Sequence, residues 1–380
     1  MYLSNNFATN HLTVIFLSLI FLSGCGGGSG GGSSAPEITQ VIANSQTPIY
    51  WNLDAAFSYG MDDGKYTQQI TVIENGDVLR TAFRDIGTQE VARLEASFQS
   101  SQVPNFQGVR ENSQLTSWST GKSFMSIVMG IAQDQSFLDI DEYASQYLTE
   151  WSDDERNQIT IRHLLNMRSG LQKPMGEAGG NITVYANQLQ MCIALELQEE
   201  INEKFEYNNC SSMLLGEIIE RATGQDFKTY ADVNLFNPLE INASWWTDLS
   251  GNYLSYCCVD MTQAEYAKFG MMLLNKGDGI VSESYIDDIL TTTANYNLQF
   301  WFFDSTMQTI GFDGQFIVVD FNNDLLILRN SLYHPQTDGD YVLNNTGDSN
   351  RTGPITLPDA LLGDGNNFSM SEFLRILKTP

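Results

Sequence analysis

The sequence predicts an α+β fold, with one antiparallel sheet assembled from both ends of the chain and a helical block inserted between its strands. Three observations carry this. Apolar and polar residues alternate from Tyr66 to Arg84 around Glu74-Asn75-Gly76-Asp77, and Asn-Gly between two such runs marks a hairpin. Helical patterning dominates from Lys122 to Leu274. Short apolar and aromatic runs return after Asn297, separated by turn residues.

The elements follow in order. Lys122–Gln133 is a mostly apolar helix and Thr160–Met167 a short one. Cys210–Thr223 is amphipathic and ends at Gly224. Met261–Leu274 has Thr262 as a candidate N-cap and Lys276-Gly277 as its stop. The late strands are Asn297–Phe303, Gln308–Phe312, Gln315–Phe321 and Leu325–Asn330, with turns at Asp313-Gly314 and Asn322-Asn323-Asp324. Gln336–Asn367, rich in Asp, Gly and Asn, reads as surface loop.

The 380 residues are 42% hydrophobic, enough for a large core. Lys and Arg number 19 against 46 Asp and Glu, a formal net charge of −27. That balance argues against a nucleic-acid partner, which needs clustered cations, and against anionic lipid surfaces or polyanionic substrates.

Residues 1–24 read as a targeting segment whose apolar run, Leu12–Leu22, is too short to span a bilayer. Its end, Leu22-Ser23-Gly24-Cys25, resembles the lipobox of bacterial lipoproteins. The resemblance implies cleavage before Cys25, acylation of that cysteine and a Gly/Ser-rich tether over 25–45. Gly26 in place of Asp implies the outer membrane, with the protein facing the periplasm and touching the membrane only through its lipid. No Lys or Arg precedes Lys65, a departure from the usual signal.

Cys192, Cys210, Cys257 and Cys258 remain, and export permits disulfides. A bond between the adjacent Cys257 and Cys258 would close a strained ring. One or two bridges among Cys192, Cys210 and the 257/258 pair are therefore favoured, with buried free thiols equally admissible. His11, His163 and His334 are far apart in sequence, so no metal site is expected, and no cofactor is expected either.

Three short segments carry candidate chemistry. In Ser119-Thr120-Gly121-Lys122, positions i and i+3 share a helix face, so a lysine amine of lowered pKa can take the serine proton. In Tyr207-Asn208-Asn209 a phenol can relay a proton and an amide can orient a substrate, although Asn209 is also a good N-cap. In Gly311-Phe312-Asp313-Gly314-Gln315, glycines let a substrate lie against a strand whose N–H groups meet an oxyanion, although Asp313-Gly314 also reads as a turn.

Together these segments resemble the serine β-lactamase and penicillin-recognising superfamily, most of all its class C-like esterases and 6-aminohexanoate-oligomer hydrolases. The similarity runs from about Ile70 to Asn330 and includes Ser117–Phe124, Ile159–Leu171, Phe205–Asn209, Leu215–Glu220 and Met261–Gly270. It implies a β-lactamase-like fold over 46–380: an antiparallel sheet flanked by helices, a mainly helical subdomain over roughly 113–275, and an active site between them. It also implies roles. Ser119 would be the acylated nucleophile, Lys122 its proton acceptor and Tyr207 the group that assists acylation and then activates water. Asn209 would hold the substrate, and the N–H groups of Ser119 and of Phe312, beyond Gly311, would form the oxyanion hole.

The chain departs from the family where penicillin-recognising enzymes carry Lys-Thr-Gly or His-x-Gly. Here the tripeptide is Thr309-Ile310-Gly311, without a cation. A lost charge-assisted hydrogen bond of roughly 1.5–3 kcal/mol costs about ten- to a hundredfold in carboxylate recognition. The expectation is a serine hydrolase of small-molecule esters or amides with poor or no β-lactamase activity. The alternatives are a β-lactamase or D-alanyl-D-alanine carboxypeptidase-like enzyme, and a non-catalytic envelope lipoprotein that uses the fold for binding. An α/β-hydrolase triad with His334 is disfavoured, because alternating β-α units are absent. Trp245, Trp246 and Trp301 are candidates to line an apolar acyl pocket, against a core role for most of them.

Overall fold

The computed structural model describes residues 50–97, 109–174, 182–331 and 368–379. The targeting segment with Cys25 and its tether, His334 and the loop predicted over Gln336–Asn367 lie outside these residues. In chain order come α1 (Leu53–Gly60), β1 (Thr67–Glu74), β2 (Asp77–Phe83), α2 (Thr88–Ser97) and β3 (Leu115–Thr116). The helical block holds α3 (Gly121–Asp134), α4 (Ile161–Leu165), α5 (Gln188–Ile193), α6 (Asn209–Thr223) and α7 (Phe227–Ala231). It closes with β4 (Ser244–Trp245), β5 (Val259–Met261), α8 (Gln263–Leu274) and α9 (Glu283–Leu290). The chain then returns through β6 (Tyr296–Asn297), β7 (Phe300–Phe303), β8 (Thr306–Gly311), β9 (Gln315–Asp320), β10 (Leu325–Ser331) and α10 (Met370–Leu377).

The large sheet is antiparallel, in the order β2-β1-β10-β9-β8-β7-β6. The first hairpin turns on Asn75 and Gly76, with φ of 52° and 83°, the left-handed pair that an Asn-Gly turn supplies. β1 then pairs with β10, Thr67 opposite Ser331, so the two chain ends share the sheet's interior as the sequence predicts.

Alternation along the strands gives the sheet two dry faces. Ile70, Val72, Val318, Leu325 and Ile327 pack against Phe57 of α1 and Phe373, Leu374 and Leu377 of α10. Ile73, Ile317, Val319, Leu326 and Leu328 face the other way and join the core of the helical block, with Phe269 and Leu273 of α8. Each fully buried Leu or Phe contributes roughly 1.5–3 kcal/mol. Thr262 caps α8 reciprocally with Glu265, and Gly224, at φ 69°, ends α6.

Two strand assignments change. The predicted strand Asn297–Phe303 is broken into β6 and β7 by Leu298 and Gln299, with φ of 43° and 68°. Long-range hydrogen bonds impose this turn. Asn166 Oδ1 accepts from Leu298 N (2.7 Å), Ser123 Oγ donates to Gln299 O (2.8 Å), and Gln299 Nε2 donates to Leu165 O (2.8 Å). β8 ends at Gly311, so Phe312 begins a tight turn, Phe312–Gly314, instead of closing the strand.

Of the cysteines, Cys192 and Cys210 pair within the expected set, and the bond between adjacent cysteines is the departure. Cys192 bonds Cys210, and Cys257 bonds its neighbour Cys258, so none of the four is a free thiol. In extended backbone neighbouring side chains point to opposite faces. Cys258 is instead left-handed (φ 67°), which breaks that alternation and brings the two sulfurs together.

Candidate active site

A small sheet, β3-β5-β4, positions the nucleophile. It sets Thr116 opposite Asp260, and the next residue is locked to the same strand. Ser117 N donates to Val259 O (2.9 Å), and Ser117 Oγ accepts from Val259 N (2.8 Å). Trp118 follows at φ 46°, an uncommon conformation for a side-chain-bearing residue that costs roughly 1–2 kcal/mol. The turn Trp118–Thr120 then runs directly into α3, so Ser119 and Lys122 lie on one face.

Lys122 is 1% exposed. Its Nζ donates to Ser119 Oγ (3.2 Å) and to the main-chain oxygen of Tyr256 (2.9 Å). It lies 4.9 Å from the centroid of the Tyr207 ring and 5.4 Å from that of Tyr256. It forms no ion pair among the described residues, and burial pushes the amine well below the usual lysine range. The aromatic faces favour the ammonium form, but desolvation outweighs them.

Tyr207 precedes α6 in a loop whose neighbours are pinned to the α4 end: Glu206 N donates to Met167 O (2.8 Å), and Asn208 Nδ2 to Gln172 O (3.2 Å). The residue is only half-buried, yet desolvation pushes its phenol up to about 12, against the lowering pull of a hydrogen bond with Ser119. The α6 N-cap is Asn208, whose side chain accepts from Cys210 N (3.0 Å), so the capping role available to Asn209 goes to its neighbour. Asn209 stands in the first helical turn with a buried Oδ1 that has no partner among the described residues. The Cys192–Cys210 bond holds this helix start against α5.

β8 runs along the opposite side of the Ser119 turn. Thr309 Oγ1 donates to Thr120 Oγ1 (3.2 Å), placing a hydroxyl where the family's cation is expected. At Gly311 a side chain would strike the carbonyl of Ser117, so only glycine lets the strand approach so closely. Phe312 is 42% exposed and stands edge-on to Trp118, with centroids 6.0 Å apart.

The structure thus brings Ser119, Lys122 and Tyr207 into contact, with Gly311 against Ser117, Phe312 against Trp118 and Asn209 two residues beyond Tyr207. Aromatic rings flank both sides. Tyr207 stacks on Trp301 (6.0 Å) and Trp301 on Phe303 (5.7 Å), while Trp118 meets Trp246 (6.3 Å). Trp245, packed on Phe227 (4.6 Å) and Phe236 (5.9 Å), and Trp246, behind Trp118, are both fully buried core, so neither lines the site. Sequence reasoning misses two contributors. The Tyr256 carbonyl is a backbone group and leaves no sequence signal, and Trp118 reads in the sequence only as a neighbour of Ser119. Among the described residues no group of His, Cys, Asp and Glu is arranged to hold a metal ion.

Comparison with known proteins bears on the family and the fold. Residues 56–251 match the family model described as Beta-lactamase. Penicillin-binding protein 4* of Bacillus subtilis (strain 168) is 27% identical over 175 residues, covering 44% of this chain. The chain spans only 37% of that relative's length. A candidate 6-aminohexanoate-dimer hydrolase from Bacillus anthracis superposes with a TM-score of 0.59 at 18% identity, covering 70% of this chain and 74% of its own. A penicillin-binding protein from Bacillus halodurans superposes with a TM-score of 0.57 at 16% identity, covering 75% of this chain and 96% of its own. At these identities the structural likeness speaks for the fold, and the family match covers half the sequence. The chain belongs to the β-lactamase family and has the α+β fold of its serine hydrolases.

Proposed function

We propose that this protein is a serine hydrolase that cleaves ester or amide bonds through a covalent acyl-enzyme on Ser119. One observation carries the reading: a buried amine with no ion-pair partner among the described residues, 3.2 Å from a serine hydroxyl. Neutral Lys122 takes the Ser119 proton as Oγ attacks the substrate carbonyl. The N–H groups of Ser119 and Phe312 face the oxyanion. Tyr207, protonated at neutral pH, passes a proton to the leaving group, and with Lys122 it activates the water that releases the acyl chain. The unpaired Asn209 Oδ1 is an acceptor for a substrate N–H or hydroxyl.

Thr309 in place of a cation favours substrates without a carboxylate beside the scissile bond, and the aromatic flanks favour an apolar acyl group. Likeness to penicillin-binding protein 4* supports a second reading, penicillin or D-alanyl-D-alanine cleavage, which a nitrocefin assay separates from the first. The test is mass spectrometry of Ala35–Pro380 after fluorophosphonate treatment, alongside turnover of p-nitrophenyl esters of graded length. An adduct on Ser119 with ester turnover is expected, both lost in Ser119→Ala. A folded protein with no adduct and no turnover would overturn catalysis and leave the non-catalytic binding reading. We also propose that Cys25 carries the lipid anchor at the outer membrane. Mass spectrometry of the membrane-fraction protein should then find Cys25 as an acylated N-terminus, and an uncleaved or unacylated Cys25 would refute the anchor.

A further inference from the structure

We propose that the Cys257–Cys258 bond is a positioning element of this site: it holds the Tyr256 carbonyl on Lys122 and braces the turn that carries Ser119. The proposal rests on the reading of Ser119 and Lys122 as the reacting pair.

Three consecutive residues behind the turn each engage it. The Tyr256 carbonyl accepts from Lys122 Nζ (2.9 Å). The Cys257 main chain lies so close to Gly121 that a Cβ there would sit 2.9–3.1 Å from its C, Cα and O atoms. Cys258 N donates to Trp118 O (3.3 Å), and Cys258 O accepts from Trp246 N (3.0 Å). The segment therefore follows the turn residue by residue, and Val259 completes the run through its paired bonds to Ser117.

The hydrogen bond between Cys258 and Trp118 joins two residues of unfavourable backbone, at φ 67° and 46°. Such conformations persist only where the surroundings over-determine them. A covalent link between adjacent side chains supplies that constraint at Cys258, and through the hydrogen bond it supports Trp118, the residue before the nucleophile. The placement fits positioning better than thiol exchange, because Cys257 is 2% exposed and Cys258 0%, which slows attack by a thiolate. Holding a proton acceptor to within a fraction of an ångström of its serine is where such rigidity acts on rate.

Two double variants test this: Cys257→Ala/Cys258→Ala, and Cys257→Ala/Cys258→Gly, which adopts positive φ without the bond. The readout is fluorophosphonate inactivation resolved into its maximal rate and its half-saturating concentration, with folding followed by near-ultraviolet circular dichroism. The Ala/Ala variant should lose at least tenfold in maximal rate with little change in half-saturation, and the Ala/Gly variant should recover part of the loss. A general loosening would instead weaken both constants. Wild-type constants in either folded variant would overturn the proposal. Should neither variant fold, reduction of the folded wild type by tris(2-carboxyethyl)phosphine applies the same test, with the alkylated fraction of Cys257 and Cys258 read by mass. The rate should fall in step with alkylation, and a rate that stays constant while Cys257 and Cys258 become alkylated, or that falls while their bond survives, would refute it. If the wild type does not label Ser119, the proposed function fails and not this inference alone.

Discussion

Arg329 and Lys122 are both long basic side chains sealed inside the protein, at 2% and 1% exposure, and their surroundings could hardly differ more. Arg329 sits among strands. Its Nε donates to Thr67 Oγ1 (2.9 Å), its Nη2 to Lys65 O (2.8 Å) and its Nη1 to Gly314 O, and the guanidinium lies over the Phe368 ring (4.0 Å). Lys122 has a serine hydroxyl and one carbonyl. A guanidinium cannot give up its proton and so needs acceptors for its donors, whereas an ammonium short of acceptors can become neutral. The first arrangement ties strands together. The second leaves a base beside a nucleophile.

The largest effect separating the two is on chemistry. Lys122→Ala should slow Ser119 labelling by about 10²–10⁴-fold, the usual worth of a general base, and Ser119→Ala/Lys122→Ala should lose no more than Ser119→Ala. A loss under tenfold would place Lys122 with Arg329 as structure. Next comes Arg329→Met, which takes the donor from acceptors on two chain segments, Lys65–Thr67 and Gly314. It should destabilise the fold by about 3 kcal/mol in urea titration, and a value under ~1 kcal/mol would break the comparison from the other side.

The smallest effect has the opposite sign. Lys122→Met should stabilise the protein at pH 7 by about 0.5–2 kcal/mol while abolishing labelling, since a desolvated amine gives way to an apolar chain of similar length. Its pH dependence follows from the lowered pKa. Above the unfolded lysine value of ~10.4 the amine is neutral in both states and imposes no penalty. As the pH falls from there through the folded pKa, only the unfolded chain gains the proton, and wild-type stability is lost. The advantage of methionine should therefore shrink as the pH approaches 10, and a gain that is flat with pH would rule out desolvation of the amine as its cause.

What the sequence reveals is what short-range rules decide. The Asn75-Gly76 hairpin, the Thr262 cap, the Gly224 stop and the shared face of Ser119 and Lys122 each depend on residues within one turn of one another. The features that escape depend on distant partners. Leu298 and Gln299 read as strand because nothing beside them signals that Asn166, Ser123 and Leu165 will hold them in a turn. Asn208 and Asn209 are chemically equal as caps, and the choice falls to a loop already fixed on Met167 and Gln172. The Cys257–Cys258 bond reads as strained from sequence alone because neither the left-handed backbone at Cys258 nor its hydrogen bonds with Trp118 and Trp246 leave a local signal.

The pairing of Thr67 with Ser331 also bears on how the chain comes off the ribosome. β1 emerges early, yet its inner neighbour is the last strand of the sheet, so the sheet cannot close until nearly the whole domain has been synthesised. The entropy of closing so long a loop rises only logarithmically with its length, but contacts this distant in sequence form slowly. The helical block can gather behind β2 while the sheet waits. A nascent chain stopped before Leu325 would hold β1 and β9 with open edges and half of one core face missing, a state for chaperones to guard until β10 arrives.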